Sequence, residues 1–496
     1  MDKDLSQQLS HWSVSREYQK IIDAIQAIEG YQEDPELATE CARSYMNLSL
    51  RAEDAWQKLD YARLAVNVLQ ACHARLPPPA KERPLVGLDP WREWHYQLGI
   101  AYEMQDLFHR AMRHFQALAK IDPTYRGDAE TRYRQNRDRV SSQWLDLSFD
   151  RRVQDVWQFL SQTQTLSTFM ALFRAEEPDK QQEGIDVLKR ILRLVMPDMP
   201  PIKLRAKEER LQITLPLEGS YARALRYAQL LSAQPKESVY DFQVGFPAVE
   251  TLPTEFANQR MRCRVIEQKP LRVELLFAQE DWQSYPERDR QQIARRAVDA
   301  ALGELAALRY VEEVTFLSTW PTEEPMHTLA DLRGLVEAAG GSLSLTVDDL
   351  LQTVYTGEEE PVEEDFLRSD VYRYQTNFLA LVNEWKYLEN DTFSELGDAS
   401  ACALMFILPP AKTEAAAQEL VNTFQSAFID ALGERASRVL HFVGSAYGKK
   451  HTYVDAVAWH LKDCLKAASQ AKKALSGNVQ YQLFDFRYPV ADLDED

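Results

Sequence analysis

The chain has 496 residues, 45% of them hydrophobic and 10% aromatic, which is ample for packed cores and, at roughly 100–200 residues per domain, for about three domains. Its 57 basic and 76 acidic residues leave a formal net charge of −19. That balance argues against general binding of nucleic acid or an anionic membrane, since both need a basic face, and it suits a basic partner. The five cysteines (Cys41, Cys72, Cys263, Cys402 and Cys464) match no zinc or redox spacing, the start is too polar for a secretion signal, and no apolar run of about 18 residues occurs. The expectation is a cytoplasmic protein with no membrane span, metal or cofactor.

Residues 1–150 read as all-helical. Tyr18, Ile21, Ile22, Ile25 and Ile28 recur at helical spacing. Leu37, Cys41, Ala42 and Tyr45 form one apolar face, and Ala62, Ala65, Val66, Leu69 and Cys72 a second, as in a degenerate helical hairpin repeat. Leu76-Pro77-Pro78-Pro79 to Pro90 must be a loop, because consecutive prolines remove donors and forbid helix. Residues 95–123 then carry the pattern of one complete tetratricopeptide repeat. Leu98, Gly99 and Tyr102 lie on its first helix, Ala111, Phe115 and Leu118 on its second, and Pro123 ends it. Small Gly99 and Ala111 let two helices approach while the larger side chains fill the seam. An ordinary helical hairpin is the plainer alternative. A charged helix from about Ala129 to Ser142 follows.

Residues 151–200 read as connecting helices, with Val153, Val156, Trp157, Leu160, Ile185, Leu188, Ile191 and Leu192 at helical spacing. Past Pro197 the period falls to two, at Leu211, Ile213 and Leu215, at Met261, Cys263 and Val265, and at Val273, Leu275 and Phe277. A long helix over Glu287 to Leu308 and a strand over Val311 to Leu317 complete a first α+β domain, 201–335. Residues 336–368 are expected as a linker with an acidic run, Thr356 to Asp365. Residues 369–490 repeat the strand–helix–strand order, with a strand over Cys402 to Leu408, a helix over Thr413 to Leu432 and a strand over Val439 to Val443. The shared Leu302-Gly303-Glu304 and Leu432-Gly433-Glu434, with Phe277 and Leu408 each 22 residues before Asp299 and Asp430, point to a duplicated domain. Each Gly is expected to cap a helix. The tail Asp492 to Asp496 is expected to fray. The fold class is therefore multidomain: all-α tetratricopeptide-like repeats followed by two related α+β domains.

Catalytic signatures are thin. Gly340-Gly341 reads as a turn, no Gly-x-Ser-x-Gly occurs, and His109 and His114 are five apart on one helix, too far round for one metal and expected to be exposed. Glu304 and Glu434 read as helix-end residues or as a symmetric pair. The densest segment is 442–461. Here a strand is expected to enter a loop with Gly444 and Gly448, and a helix to begin near Tyr453 with Asp455 and Trp459 one turn apart. Gly444, Tyr447, Gly448, Lys449, Lys450, Tyr453, Asp455 and Trp459 are the candidate partner-binding residues. The plainer reading is a tight turn with Trp459 in the core.

Several phrases, in order, carry a resemblance: Glu17 to Asp23, Ala42 to Leu48, Trp94 to Tyr102, Leu211 to Gly219, Leu302 to Glu304, Gly444 to Gly448, Tyr453 to Trp459 and Phe484 to Arg487. Together they resemble a largely uncharacterised family of bacterial tetratricopeptide-containing proteins, similar to the immunity proteins found beside polymorphic toxins. His460 departs from that pattern, where an acidic residue follows the Trp. The resemblance implies a cytoplasmic immunity protein, not an enzyme, that binds and neutralises a cognate toxin domain by covering its active site; the acidic balance would suit a basic toxin. A scaffold or chaperone-like adaptor holding peptide segments in the repeats is the alternative. An enzyme that reverses a toxin's modification, with its site at 444–459, is a third reading.

Overall fold

Asp34, Asp54 and Asp89 each precede a helix and accept hydrogen bonds from backbone N–H groups of its first turn, and Pro35 and Pro90 pre-set the first helical residue. These signals fix the N-terminal unit of the computed structural model, which describes residues 3–83, 89–174, 177–198, 201–207, 210–318, 326–362, 367–387, 391–475, 477–483 and 491–492. The chain divides into two compact units, Met1–Gln143 and Trp144–Asp496.

The described residues of the first unit are helical: α1 (Lys3–Val14), α2 (Tyr18–Gln26), α3 (Pro35–Arg51), α4 (Ala55–Ala71), α5 (Pro90–Glu103), α6 (Phe108–Ile121) and α7 (Ala129–Asp146), within which the boundary falls. The short α3–α4 and α5–α6 connections make two antiparallel hairpins. Ile21, Ile25, Ala38, Cys41, Ala65, Leu69, Leu98, Ala111 and Phe115 share one core. Gly99 marks a close approach of two helices, since a Cβ there would lie 2.7 Å from Cζ of Phe115. The hairpins are tied to one another by Trp94 Nε1 donating to the Leu69 carbonyl (2.6 Å) and Gln70 Nε2 to Tyr102 Oη (2.9 Å).

The second unit opens with α8 (Phe149–Leu160), α9 (Thr163–Arg174) and α10 (Pro178–Leu192). Val153, Leu188 and Leu192 of these helices belong to the same core as Leu211, Ile213, Ala403 and Met405, so the expected connection is part of a core. A first sheet has the order β1-β2-β3, from β1 (Lys203–Lys207), β2 (Arg210–Leu215) and β3 (Tyr240–Val244), with α11 (Tyr221–Ser232) crossing between parallel β2 and β3. After α12 (Thr254–Ala257) come β4 (Arg260–Gln268), β5 (Leu271–Ala278), α13 (Glu287–Leu302), α14 (Glu304–Tyr310), β6 (Val311–Leu317) and β7 (His327–Thr328), in a second sheet of order β6-β5-β4-β7. The single long helix expected over 287–308 is two helices. Gly303, at φ +84° and ψ 147°, breaks it, and a Cβ there would meet the Ala248 nitrogen at 2.9 Å.

Segment 336–368 is structured where described. It holds the end of α15 (Leu332–Ala338), then α16 (Val347–Leu351), and the acidic run begins in a strand, β8 (Tyr355–Glu358). Its residues 363–365 lie outside the described residues. A third sheet follows from β9 (Val371–Thr376), α17 (Leu379–Tyr387), α18 (Thr392–Asp398), β10 (Cys402–Leu408), α19 (Glu414–Leu432), α20 (Ala436–Val439), β11 (Leu440–Gly448), β12 (Thr452–Ala458), α21 (Leu461–Ala471), β13 (Gln480–Leu483) and β14 (Ala491–Asp492). Asp492, expected to fray, pairs with Gln480; residues 493–496 lie outside the described residues. The order is β14-β13-β10-β12-β11-β9-β8. Within it, β10–α19–β11–β12–α21–β13 is the split βαβ arrangement of ferredoxin-like folds. The two strand–helix–strand segments share element order but differ in topology: β5 and β6 are parallel neighbours, whereas β12 lies between β10 and β11.

Candidate functional site

The segment around Gly444 is a β-hairpin, which corrects the expected loop and helix. Gly444, Tyr447 and Gly448 lie on β11, Lys449 and Lys450 in its turn, and Tyr453 and Asp455 on β12. Alternation along 452–458 is hidden because the whole strand is buried, so period two could not show. Trp459 follows the strand, 1% exposed, with its ring 5.1 Å from that of Phe149. His460, where the resemblance led one to expect an acid, caps α21 by accepting the Asp463 N–H at 3.2 Å.

The polar groups of this hairpin are mutually engaged. Asp370 accepts the Lys450 and His451 N–H groups (2.6 and 3.1 Å) and the Tyr453 hydroxyl (2.6 Å), which fastens the turn. Gly448 leaves room for that carboxylate, since a Cβ would sit 2.4 Å from Asp370 Oδ2. Asp455, 1% exposed, takes two hydrogen bonds from Arg368 Nη1 (2.5 and 2.7 Å). Burial, then the hydrogen bond to Asp370, pushes the Tyr453 phenol up. Gly448, Tyr453 and Asp455 thus hold the hairpin together, and Lys449 and Lys450 are its exposed cations.

The larger concavity of the second unit lies elsewhere, over the sheet β1-β2-β3. Leu211, Ile213 and Leu215 of β2 are buried, which turns Gln212 and Thr214 to the opposite face. In register with them stand Arg205 and Lys203 on β1 and Gln243 on β3. The facing wall is α13, where Gln292, Arg295, Arg296 and Asp299 fall at the i, i+3, i+4, i+7 spacing of one helical face. Together they line a cleft of about 1020 Å³. Asp299 Oδ1 has no hydrogen-bond partner among the described residues, and Arg295 Nε stands 3.6 Å away. Burial lifts its carboxyl to about 6, against the opposing pull of Arg295. Sequence reading missed this site, although the spacing 292, 295, 296, 299 was visible.

Glu304, at the start of α14, also lines that cleft. Its carboxylate, 6% exposed, accepts the backbone N–H groups of Leu217 (3.0 Å), Glu218 (2.9 Å) and Phe246 (2.7 Å). Glu434 is exposed, so the two are no symmetric pair. A neighbouring cavity of about 390 Å³ is lined by Ser220, Arg272, Arg309, Tyr355 and Glu395. There Ser220 Oγ donates to Glu395, a carboxyl raised by burial and opposed by Arg223.

In the first unit, His109 is 1% exposed and His114 is half-buried, which corrects the expectation that both are exposed. His114 meets His95 across the α5–α6 seam, with Nδ1 atoms 3.1 Å apart and Trp94 edge-on to both rings. Burial, then His73, lowers His95 to about 3; burial, then His95, holds His114 well below its ordinary value. Among the described residues no group of three or more His, Cys, Asp or Glu could hold a metal ion, and no helix is long and apolar enough to cross a membrane. No family model, curated protein or solved structure matches the chain.

Proposed function

We propose that this chain is a protein-binding protein of the tetratricopeptide-repeat kind, acting in the cytoplasm as an immunity protein that neutralises a cognate toxin domain by covering its active site. The observation that supports the repeat reading is the stacking of α3–α4 on α5–α6. The Gly99–Phe115 seam closes one hairpin, and Trp94 and Gln70 join it to the next. Stacked hairpins of this kind present extended surfaces to other proteins. The toxin as target rests on the resemblance carried by the sequence phrases, and the net charge of −19 would steer a basic toxin toward the chain.

The test is co-expression with the product of the adjacent reading frame, followed by size exclusion and a growth assay. The proposal expects a stoichiometric complex and rescue of growth from that product's toxicity. A toxic neighbour that neither binds nor is neutralised would sink it. Binding of several unrelated peptides at micromolar affinity would point instead to the adaptor.

A further inference from the structure

We propose that the cleft between the polar face of β1-β2-β3 and α13 is a binding site for a phosphorylated small molecule of nucleotide size. The inference is independent of the immunity reading. On a chain of net charge −19, this cleft is lined by five cations, Lys203 and Arg205 on one wall, Arg295 and Arg296 on the other, and Arg223, against three carboxylates, Glu218, Asp299 and Glu304. Arg223 pairs with Glu218, Arg295 stands beside Asp299, and backbone N–H groups hold Glu304, which leaves Lys203, Arg205 and Arg296 as the cations open to a ligand. Arg205 and Arg296 are exposed. Like charges lining one cavity repel, and a polyanion relieves that repulsion. Arginine forks also match phosphate oxygens in geometry.

Two further features decide the class of ligand. The cations come from opposing walls of one cavity, an arrangement suited to a compact polyanion more than to an extended acidic segment. The floor between them carries amide and hydroxyl groups, Gln212, Thr214 and Gln243, which both donate and accept. Such a floor would read hydroxyls or ring nitrogens beside the phosphates. Its volume, about 1020 Å³, is well above what a phosphate chain alone fills and within reach of a nucleotide.

The experiment is calorimetric titration of the full chain with sodium tripolyphosphate and, separately, with ATP, both at low ionic strength. The Arg205→Glu/Arg296→Glu double variant is compared with Lys449→Glu/Lys450→Glu, which makes the same charge change on the exposed hairpin turn. All four positions are exposed, and matching thermal melts establish that the fold persists. The expected result is saturable binding of both probes, with affinity reduced at least about tenfold in the cleft variant and less than about twofold in the hairpin variant, a loss of roughly 1.4 kcal/mol for the former. Tighter binding of ATP than of tripolyphosphate supports contacts to the floor. Absence of heat at about 1 mM probe, a site far weaker than metabolite sites, overturns the proposal. So do equal losses in the two variants, or affinity for single-stranded RNA that rises with its length and exceeds that for ATP.

Discussion

Replacing Gly99 by Ala sets helix propensity against packing, and the distances say which wins. Gly99 is in the interior of α5, where Ala is favoured by about 1 kcal/mol. The new methyl would lie 2.7, 2.8 and 3.0 Å from Cζ, Cε2 and Cε1 of Phe115, whereas carbon atoms pack best at about 3.5–4.0 Å. Phe115 is 0% exposed, its ring edge-on to Tyr96 at 5.9 Å, so it has no open space to withdraw into. Overpacking of this kind costs about 1–3 kcal/mol, and a ring-on-methyl overlap at three atoms belongs at the upper end. The net expectation for Gly99→Ala is a loss of about 1–2 kcal/mol. Phe115→Leu alone should also destabilise, by about 1–2 kcal/mol through lost contacts. The two together should cost less than their sum by at least about 1 kcal/mol, because the shorter side chain vacates the position the methyl needs. Urea unfolding of the full chain, with hydrogen exchange of α5 and α6 amides to localise the effect, measures all three variants. A stabilising Gly99→Ala, or additive losses, would refute the close approach of these helices and with it the main support for the repeat reading.

Two other predictions follow from buried polar groups. Glu304→Ala strands the N–H groups of Leu217, Glu218 and Phe246, and at about 1–3 kcal/mol for each unmet donor a total loss of at least about 3 kcal/mol is expected in urea unfolding. A loss below about 1 kcal/mol would mean that water replaces the carboxylate. The His95–His114 pair makes the fold acid-sensitive. Both folded values lie below the unfolded value of 6.5, so the unfolded chain binds protons first and stability is full above pH 6.5. It is then lost as pH falls toward about 3 for His95, by up to about 1.4 kcal/mol per pH step for each ring. His95→Gln should flatten melting temperature against pH between about 6.5 and 4, and an unchanged slope there would show that the pair is not buried as neutral rings.

What could be read from the sequence was what local pattern fixes. The apolar faces of α3 to α6 and the alternation of β2 and β5 express themselves within about ten residues. On β4 the expected single buried face does not hold, since Met261 is buried but Val265 is 44% exposed and Arg262 is buried. The hairpin β11–β12 did not express itself, because Thr452 to Ala458 is buried on both faces and shows neither period. His109 and His114 were misplaced for a similar reason: their burial depends on α5 lying against α6, which helical spacing does not reveal. The cleft was missed because its walls are some 90 residues apart in the chain, Lys203 against Arg295 and Arg296, and neither wall is unusual alone.

The phrase Leu-Gly-Glu shows how far a repeated motif can be trusted. Both copies stop a helix at a glycine with positive φ, +84° at Gly303 and +57° at Gly433, so the common part of the phrase has one physical meaning. They diverge at the next residue. Gly303 is pressed against the Ala248 backbone, and that contact delivers Glu304 to three unpaired N–H groups; Gly433 has nothing within 4 Å of its would-be Cβ, and Glu434 is exposed. The difference tracks the sheets. Where β5 and β6 are neighbours, Glu304 at the start of α14 reaches the loops after β2 and β3 and becomes an anchor. Where β12 intervenes between β10 and β11, the same turn ends at the surface. A shared phrase therefore identified the helix stop in both halves and the buried carboxylate in only one. It is the buried one that lines the cleft, holding the 217–218 loop beside the wall that carries Asp299.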